Sequence, residues 1–95
     1  MKNYEGVFIV NPDLPHDVSK GIVTGLQDLV TKNGGRVDNV QEWGKRRLAF
    51  KIKKKSEGHY VLLNFQLDGA ETKKVEQMLR LNENVLRYLI INKEK

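Results

Sequence analysis

Trp43-Gly44-Lys45-Arg46-Arg47-Leu48-Ala49-Phe50-Lys51-Ile52-Lys53-Lys54-Lys55 decides how the rest of the chain is arranged. Leu48, Phe50 and Ile52 alternate with Ala49, Lys51 and Lys53, the period-two pattern of a half-buried strand. Gly44 interrupts the extended stretch that runs from Arg36 to about Ile52, so a bulge or kink is expected there. Lys53 to Gly58 then reads as a polar turn. His59 to Leu67 follows as a second strand, in which Asn64 and Gln66 alternate with Leu63, Phe65 and Leu67. Two such runs around a polar turn predict an antiparallel hairpin with a flexible basic tip.

The same stretch holds the charge. It contains 7 of the 17 Lys and Arg residues and no acid, which leaves 10 basic residues against 12 acidic ones elsewhere. The net charge of +5 therefore comes from one ordered segment. A localised patch of this kind attracts a polyanion, whereas a diffuse excess of charge chiefly aids solubility. A solvated strand face without a partner is the plainer reading of the same lysines.

Outward from the hairpin, Tyr4 to Val10 reads as a strand whose last four residues are all apolar, as in the middle of a sheet. Asn11-Pro12-Asp13 ends it. A helix is predicted from Leu14 or Pro15 to Lys32, with Val18, Ile22, Leu26, Leu29 and Val30 as its apolar stripe. Asn33-Gly34-Gly35 stops it. Gly21 and Gly25 lie inside that helix and suit either close packing on the sheet or open solvent. Asp68-Gly69-Ala70-Glu71 is a capping box for a second helix from Gly69 to Arg80, with Val75, Met78 and Leu79 facing inward. Val85 to Ile91 is the last strand, and Asn92 to Lys95 is expected to fray. The order strand, helix, strand, strand, helix, strand predicts an α+β, ferredoxin-like split βαβ fold (βαββαβ). Its four-stranded antiparallel sheet has both helices on one face, with the first and third strands central. Residues 1–95 fit a single domain.

At this point the sequence resembles the bacterial small-subunit ribosomal protein S-six family. The resemblance rests on Tyr4-Glu5, Asn11-Pro12, Gly34-Gly35-Arg36-Val37, the run Trp43 to Ile52, Gly58, and Asn84-Val85-Leu86-Arg87. Some members carry a longer, often acidic tail, and contacts made by such a tail are not carried over. The resemblance implies a non-catalytic structural constituent of the small ribosomal subunit, located on the ribosome in the cytoplasm. It further implies binding to the central domain of small-subunit ribosomal RNA as a heterodimer with ribosomal protein S-eighteen.

Residue roles follow from these two lines. Lys45, Lys53, Lys54 and Lys55 are the candidate RNA contacts, since mobile ammonium groups suit phosphate rather than base edges. Glu42, Trp43, Arg46, Arg47 and Leu48 lie on an edge strand and are the candidate partner-docking residues. Charge there also guards the edge against self-pairing, while an exposed Trp suits an interface centre.

The alternative reading is a single-stranded RNA binder like the RNA-recognition motif. Val7 to Asn11 fits that family's first-strand motif, but Glu57-Gly58-His59-Tyr60-Val61 fails its third-strand motif, which removes the paired aromatics for base stacking. Phe8 then belongs to the core with Phe65 and Ile90. Val7, Ile9, Leu62, Leu89 and Ile91 form an apolar open face that implies a protein partner or a partly covered sheet.

No cofactor, metal site or small-molecule substrate is expected. With no Cys and two unclustered histidines, His16 and His59, the chain lacks nucleophile and ligand constellations. Gly34-Gly35 is a helix stop and lacks the pattern of a phosphate loop. No apolar run is long enough to span a bilayer, so no membrane association is expected. Met1 to Gly6 lacks the apolar region and cleavage site of a secretory signal.

Overall fold

A computed structural model describes residues 1–94. Strand β1 (Lys2–Val10) is followed by helix α1 (His16–Lys32), strand β2 (Arg36–Ile52) and strand β3 (Lys55–Leu67). A short 3-10 turn (Gly69–Glu71) leads into helix α2 (Thr72–Leu81), and strand β4 (Val85–Asn92) completes the chain. The sheet is antiparallel throughout with order β2-β3-β1-β4. This is the expected ferredoxin-like arrangement, with β1 and β3 central and β2 and β4 at the edges.

The core lies between the sheet and the helices. Tyr4, Phe8 and Val10 of β1 and Val61, Leu63, Phe65 and Leu67 of β3 are buried against Ile22, Leu26 and Val30 of α1 and Val75 and Leu79 of α2. Opposed residues of an antiparallel pair share a face. The pairs Tyr4–Phe65, Phe8–Val61 and Val10–His59 therefore mark the helix face. Ile9–Tyr60 and Val7–Leu62 mark the open one.

The α1 stripe keeps Ile22, Leu26 and Val30 as expected, with Leu29 packed beside them, and differs at its start. Val18 is 41% exposed, while Ser19, Ile22, Val23, Leu26 and Val30 are buried. Ser19 can turn inward because its hydroxyl donates to the carbonyl of His16 at 3.0 Å, which satisfies the polar group within the helix. Gly25 serves helix–helix packing rather than the sheet, since a Cβ there would lie 2.9 Å from Met78 Cε of α2. Gly21 faces open space.

At the end of α1, Gly34 adopts φ +85°, and the N–H groups of Gly34 and Gly35 donate to the carbonyls of Thr31 and Val30. Crossed bonds of this kind close a helix at a left-handed residue. The capping box before α2 is half made. Asp68 accepts from the N–H of Ala70 at 3.3 Å, and the chain enters through a 3-10 turn. Leu81 is 68% exposed and adds nothing to the stripe.

Strand β3 starts at Lys55, four residues earlier than expected, so the turn is only Lys53-Lys54. The C-terminal segment is tied rather than frayed as far as it is described. The Lys93 N–H donates to the Asn3 carbonyl at 2.9 Å, and Lys93 Nζ to Asn64 Oδ1 at 3.0 Å. The Glu94 carboxylate accepts from the Asn3 N–H. Lys95 lies outside the described residues.

Candidate partner and nucleic-acid interface

Gly44 determines where the β2 side chains go. It has φ +79°, and the pairing with β3 shifts between Glu42–Val61 and Gly44–Tyr60, so Trp43 is the extra residue of a bulge. The Trp43 indole consequently lies on the open face, stacked on the Tyr60 ring at 6.4 Å between centroids and 13° between planes. Trp43 Nε1 donates to Gln41 Oε1 at 3.2 Å, and Arg46 Nε donates to the Trp43 carbonyl at 3.2 Å. Arg46 stands opposite Gly58. Leu48 and Ile9 cover Gly58, where a Cβ would come within 2.2 Å of Ile9 Cγ2 and 3.5 Å of Leu48 Cδ2.

Glu42 and Arg47 belong to the other face. Glu42 stands opposite core residue Val61 and reaches His59 Nε2 at 3.4 Å, while Arg47 stands opposite Glu57. The five residues expected to form one docking edge are thus divided. Trp43, Arg46 and Leu48 cluster on the open face with Tyr60, and Glu42 and Arg47 lie on the helix side. Strict alternation over Leu48 to Ile52 does not hold, because the ladder has no regular partner between Arg47–Glu57 and Ile52–Lys55. Phe50 there is 81% exposed instead of half-buried.

Lys53 and Lys54 have φ +50° and +67°, the left-handed pair that a two-residue hairpin turn requires. Lys carries a cost there that Gly or Asn would avoid. The basic tip is also less free than the sequence implies. Lys55 Nζ is ion-paired with the Asp13 carboxylate in the turn after β1, and Lys53 Nζ reaches the Val85 carbonyl at 3.5 Å. Lys54 is exposed. Lys45 stands opposite His59 on the helix side, away from the tip residues in sequence but within electrostatic reach of Asp13. The hydrogen bond from Lys55 holds the Asp13 carboxyl below its usual range, with the Lys55 and Lys45 charges acting the same way. The lowered value sets the sign of the pH dependence. The contact is complete above the ordinary carboxylate value near 4 and is lost as pH falls through the lower folded value. The Asp13 carboxyl carbon followed by NMR should therefore titrate with a midpoint below the ordinary carboxylate value, and Lys55→Ala should raise that midpoint.

The expected apolar open face is present. Ile9 and Leu62 form its covered floor, while Leu89 and Ile91 on β4 are exposed. Tyr60, Asp13 and Arg87 were not singled out as site residues by the sequence. Only Tyr60 had a readable signal, because a bulge at Gly44 inverts the β2 parity and brings Trp43 above it. Among the described residues no group of three His, Cys, Asp or Glu could hold a metal ion, and no helix is long and apolar enough to cross a membrane.

Known proteins share this architecture and sequence. The family described as Ribosomal protein S6 matches residues 3–92. A small ribosomal subunit protein bS6 of Thermoanaerobacter pseudethanolicus is 42% identical over 95 residues, the whole of both chains. One from Caldanaerobacter subterraneus is 43% identical over 91 residues, 96% of each. The crystal structure of 30S ribosomal protein S6 from Thermotoga maritima superposes with a TM-score of 0.92 at 27% identity, covering 97% of this chain and 87% of that one. The C-terminal domain of MgtC from Mycobacterium tuberculosis shares the fold alone, with a TM-score of 0.69 at 11% identity over 99% of this chain and 89% of that one.

Proposed function

The chain belongs to the ribosomal protein S6 family, and on that premise we propose that it is a structural constituent of the small ribosomal subunit. In this reading its 95 residues act as one non-catalytic domain. The domain binds the central domain of small-subunit ribosomal RNA as a pair with ribosomal protein S-eighteen. The observation that carries the reading is the family match across residues 3–92, which includes the whole basic hairpin. What supports the division of labour is the hairpin itself. Trp43, Arg46 and Leu48 offer an apolar and cationic surface for the protein partner. Lys53 and Lys54, with Lys45 and Lys55 behind them, offer point charges to phosphates. Glu42 and Arg47 lie on the helix side and serve to keep the edge from pairing with itself.

The test is co-sedimentation from native lysate on a sucrose gradient, where the protein is expected with the small subunit. Absence from that peak would overturn the reading. An RNA-recognition-type binder would hold short single-stranded RNA alone, whereas a pair-dependent protein needs the partner present.

Salt dependence tests the lysines separately. Each phosphate neutralised contributes about 0.7 to 0.9 log units of affinity per log unit of salt. Changing Lys53, Lys54 and Lys55 together to Ala should flatten the slope by at least one such step. An unchanged slope would leave those lysines as a solvated turn.

A further inference from the structure

The basic turn carries its own anion. Asp13 lies in the connection between β1 and α1, and its carboxylate is ion-paired with Lys55. Backbone bonds hold that connection in place. The Asn11 N–H donates to the Asn84 carbonyl at 2.8 Å, and the Asp13 N–H donates to Asn11 Oδ1 at 3.0 Å. Lys55 is equally set, since it opens β3 and stands opposite Ile52 in the pair that closes the hairpin. Its side chain is 35% exposed, against 65% for that of Asp13. Lys45 adds a second positive charge within reach of the same carboxylate. Among the described residues Lys45, Lys53 and Lys54 make no ion pair. Lys55 alone of the four candidate RNA contacts is already neutralised.

We propose that Asp13 stands in for a phosphate: it keeps Lys55 out of loose contacts with RNA and yields it only where bound RNA fixes a phosphate beside it. The inference rests on the RNA-binding reading above and assigns a role to a residue outside the basic stretch. A carboxylate on the same chain competes at an effective concentration in the millimolar range. A strand held only by diffuse charge offers no phosphate so well placed. The ion pair is nevertheless exposed, and exposed pairs are weak. A phosphate positioned by other contacts therefore displaces the carboxylate, which returns to water. Lys53 differs from Lys55, because the Val85 carbonyl it reaches at 3.5 Å is uncharged and leaves the ammonium charge uncompensated. The turn thus presents Lys53 and Lys54 to any polyanion and reserves Lys55.

The experiment titrates poly(U) into the full chain at several salt concentrations, with circular dichroism confirming that each variant folds. Asp13→Asn should steepen the salt dependence by about 0.7 log units per log unit of salt, the step for one phosphate of a single strand, and tighten low-salt binding about three- to tenfold. Asp28→Asn makes the same charge change on the exposed face of α1 and should leave the slope unchanged. Asp13→Asn in a Lys55→Ala background should also leave it unchanged. With purified ribosomal protein S-eighteen and a central-domain RNA fragment, Lys55→Ala should weaken binding at least threefold, because there the lysine has passed to a phosphate. An unaltered slope in Asp13→Asn, or an equal gain in Asp28→Asn, overturns the proposal. A gain that survives Lys55→Ala overturns it too, since Asp13 then acts on RNA directly. No loss from Lys55→Ala in the paired complex reduces the ion pair to a structural contact and overturns it as well. If the wild-type pair does not bind the fragment, the proposed function fails, while the poly(U) titrations still decide whether Asp13 withholds Lys55. If neither wild type nor Asp13→Asn binds poly(U), the turn attracts no polyanion and the role of Asp13 falls with it.

Discussion

Gly35→Ala should destabilise the protein by about 3 kcal/mol, the upper part of the range for overpacking a core, whereas Gly21→Ala should stabilise it by up to about 1 kcal/mol. The same methyl group is added in both cases, and its surroundings decide the sign. At Gly35 a Cβ would lie 2.3 Å from the Gln66 carbonyl oxygen, 2.8 Å from Val30 Cγ1 and 2.9 Å from Leu67 Cδ1. The carbonyl cannot give way cheaply, because Gln66 is paired with Arg36 of β2 and Asn3 of β1. Val30 and Leu67 are both fully buried. Relief requires β2 to lift from β3 where the hairpin begins. At Gly21 nothing lies within 4 Å, and Ala only removes the entropy cost of Gly in a helix. Urea unfolding followed by circular dichroism measures both. A Gly35→Ala midpoint equal to that of wild type would show that β2 is not held at this point.

The fold was legible because its signals are local. The apolar run Val7 to Val10 and the stop at Asn33-Gly34-Gly35 each depend on a few neighbouring residues. Those signals place four strands and two helices in the order observed. The misplaced features depend on something outside the window. Val18 is more apolar than Ser19, so hydrophobicity alone starts the α1 stripe at Val18, although its later members Ile22, Leu26 and Val30 are placed correctly. Only the hydroxyl's bond to His16 explains why Ser19 turns inward. Alternation through Leu48 to Ile52 predicts a half-buried Phe50, but alternation orients side chains only where a ladder exists, and the pairing skips those residues. The flexible basic tip is shortened by two Lys residues in left-handed conformation, a choice that turn propensity argues against.

The candidate site was harder to read than the fold for the same reason. Lys55 meets Asp13 across 42 positions of sequence, and Lys53 meets Val85 across 32. No pattern within the basic stretch reports either contact. The bulge at Gly44 was foreseeable, but its consequence is parity. It places Trp43 over Tyr60 and divides one run of charged residues between two faces. The positive charge of the stretch from Trp43 to Lys55 is therefore divided: Arg46 on the open face, Lys45 and Arg47 on the helix side, Lys51 in the run without ladder partners, and Lys53 to Lys55 at the turn.

That division makes the docking proposal sharper, and Trp43→Ala is where its largest effect on binding should fall. In the free protein the indole is 44% exposed and already stacked on Tyr60, so little ordering remains to be done when a partner covers it. Truncation of a central interface Trp commonly costs 2 kcal/mol or more, which is about 30-fold in dissociation constant. The fold should be nearly unaffected, because Trp43 is a bulge residue outside the buried core. Arg46→Ala should weaken binding in the same direction, since Arg46 shares the open face and is fixed by its bond to the Trp43 carbonyl. Arg47→Ala should change affinity by less than about threefold, the effect of a residue at the rim or outside the contact. Calorimetric titration of ribosomal protein S-eighteen into each variant decides the matter. Equal losses at Arg46 and Arg47 would mean that the partner grips the strand edge from both sides. No loss at Trp43 would mean that the stacked pair with Tyr60 only holds the bulge in place.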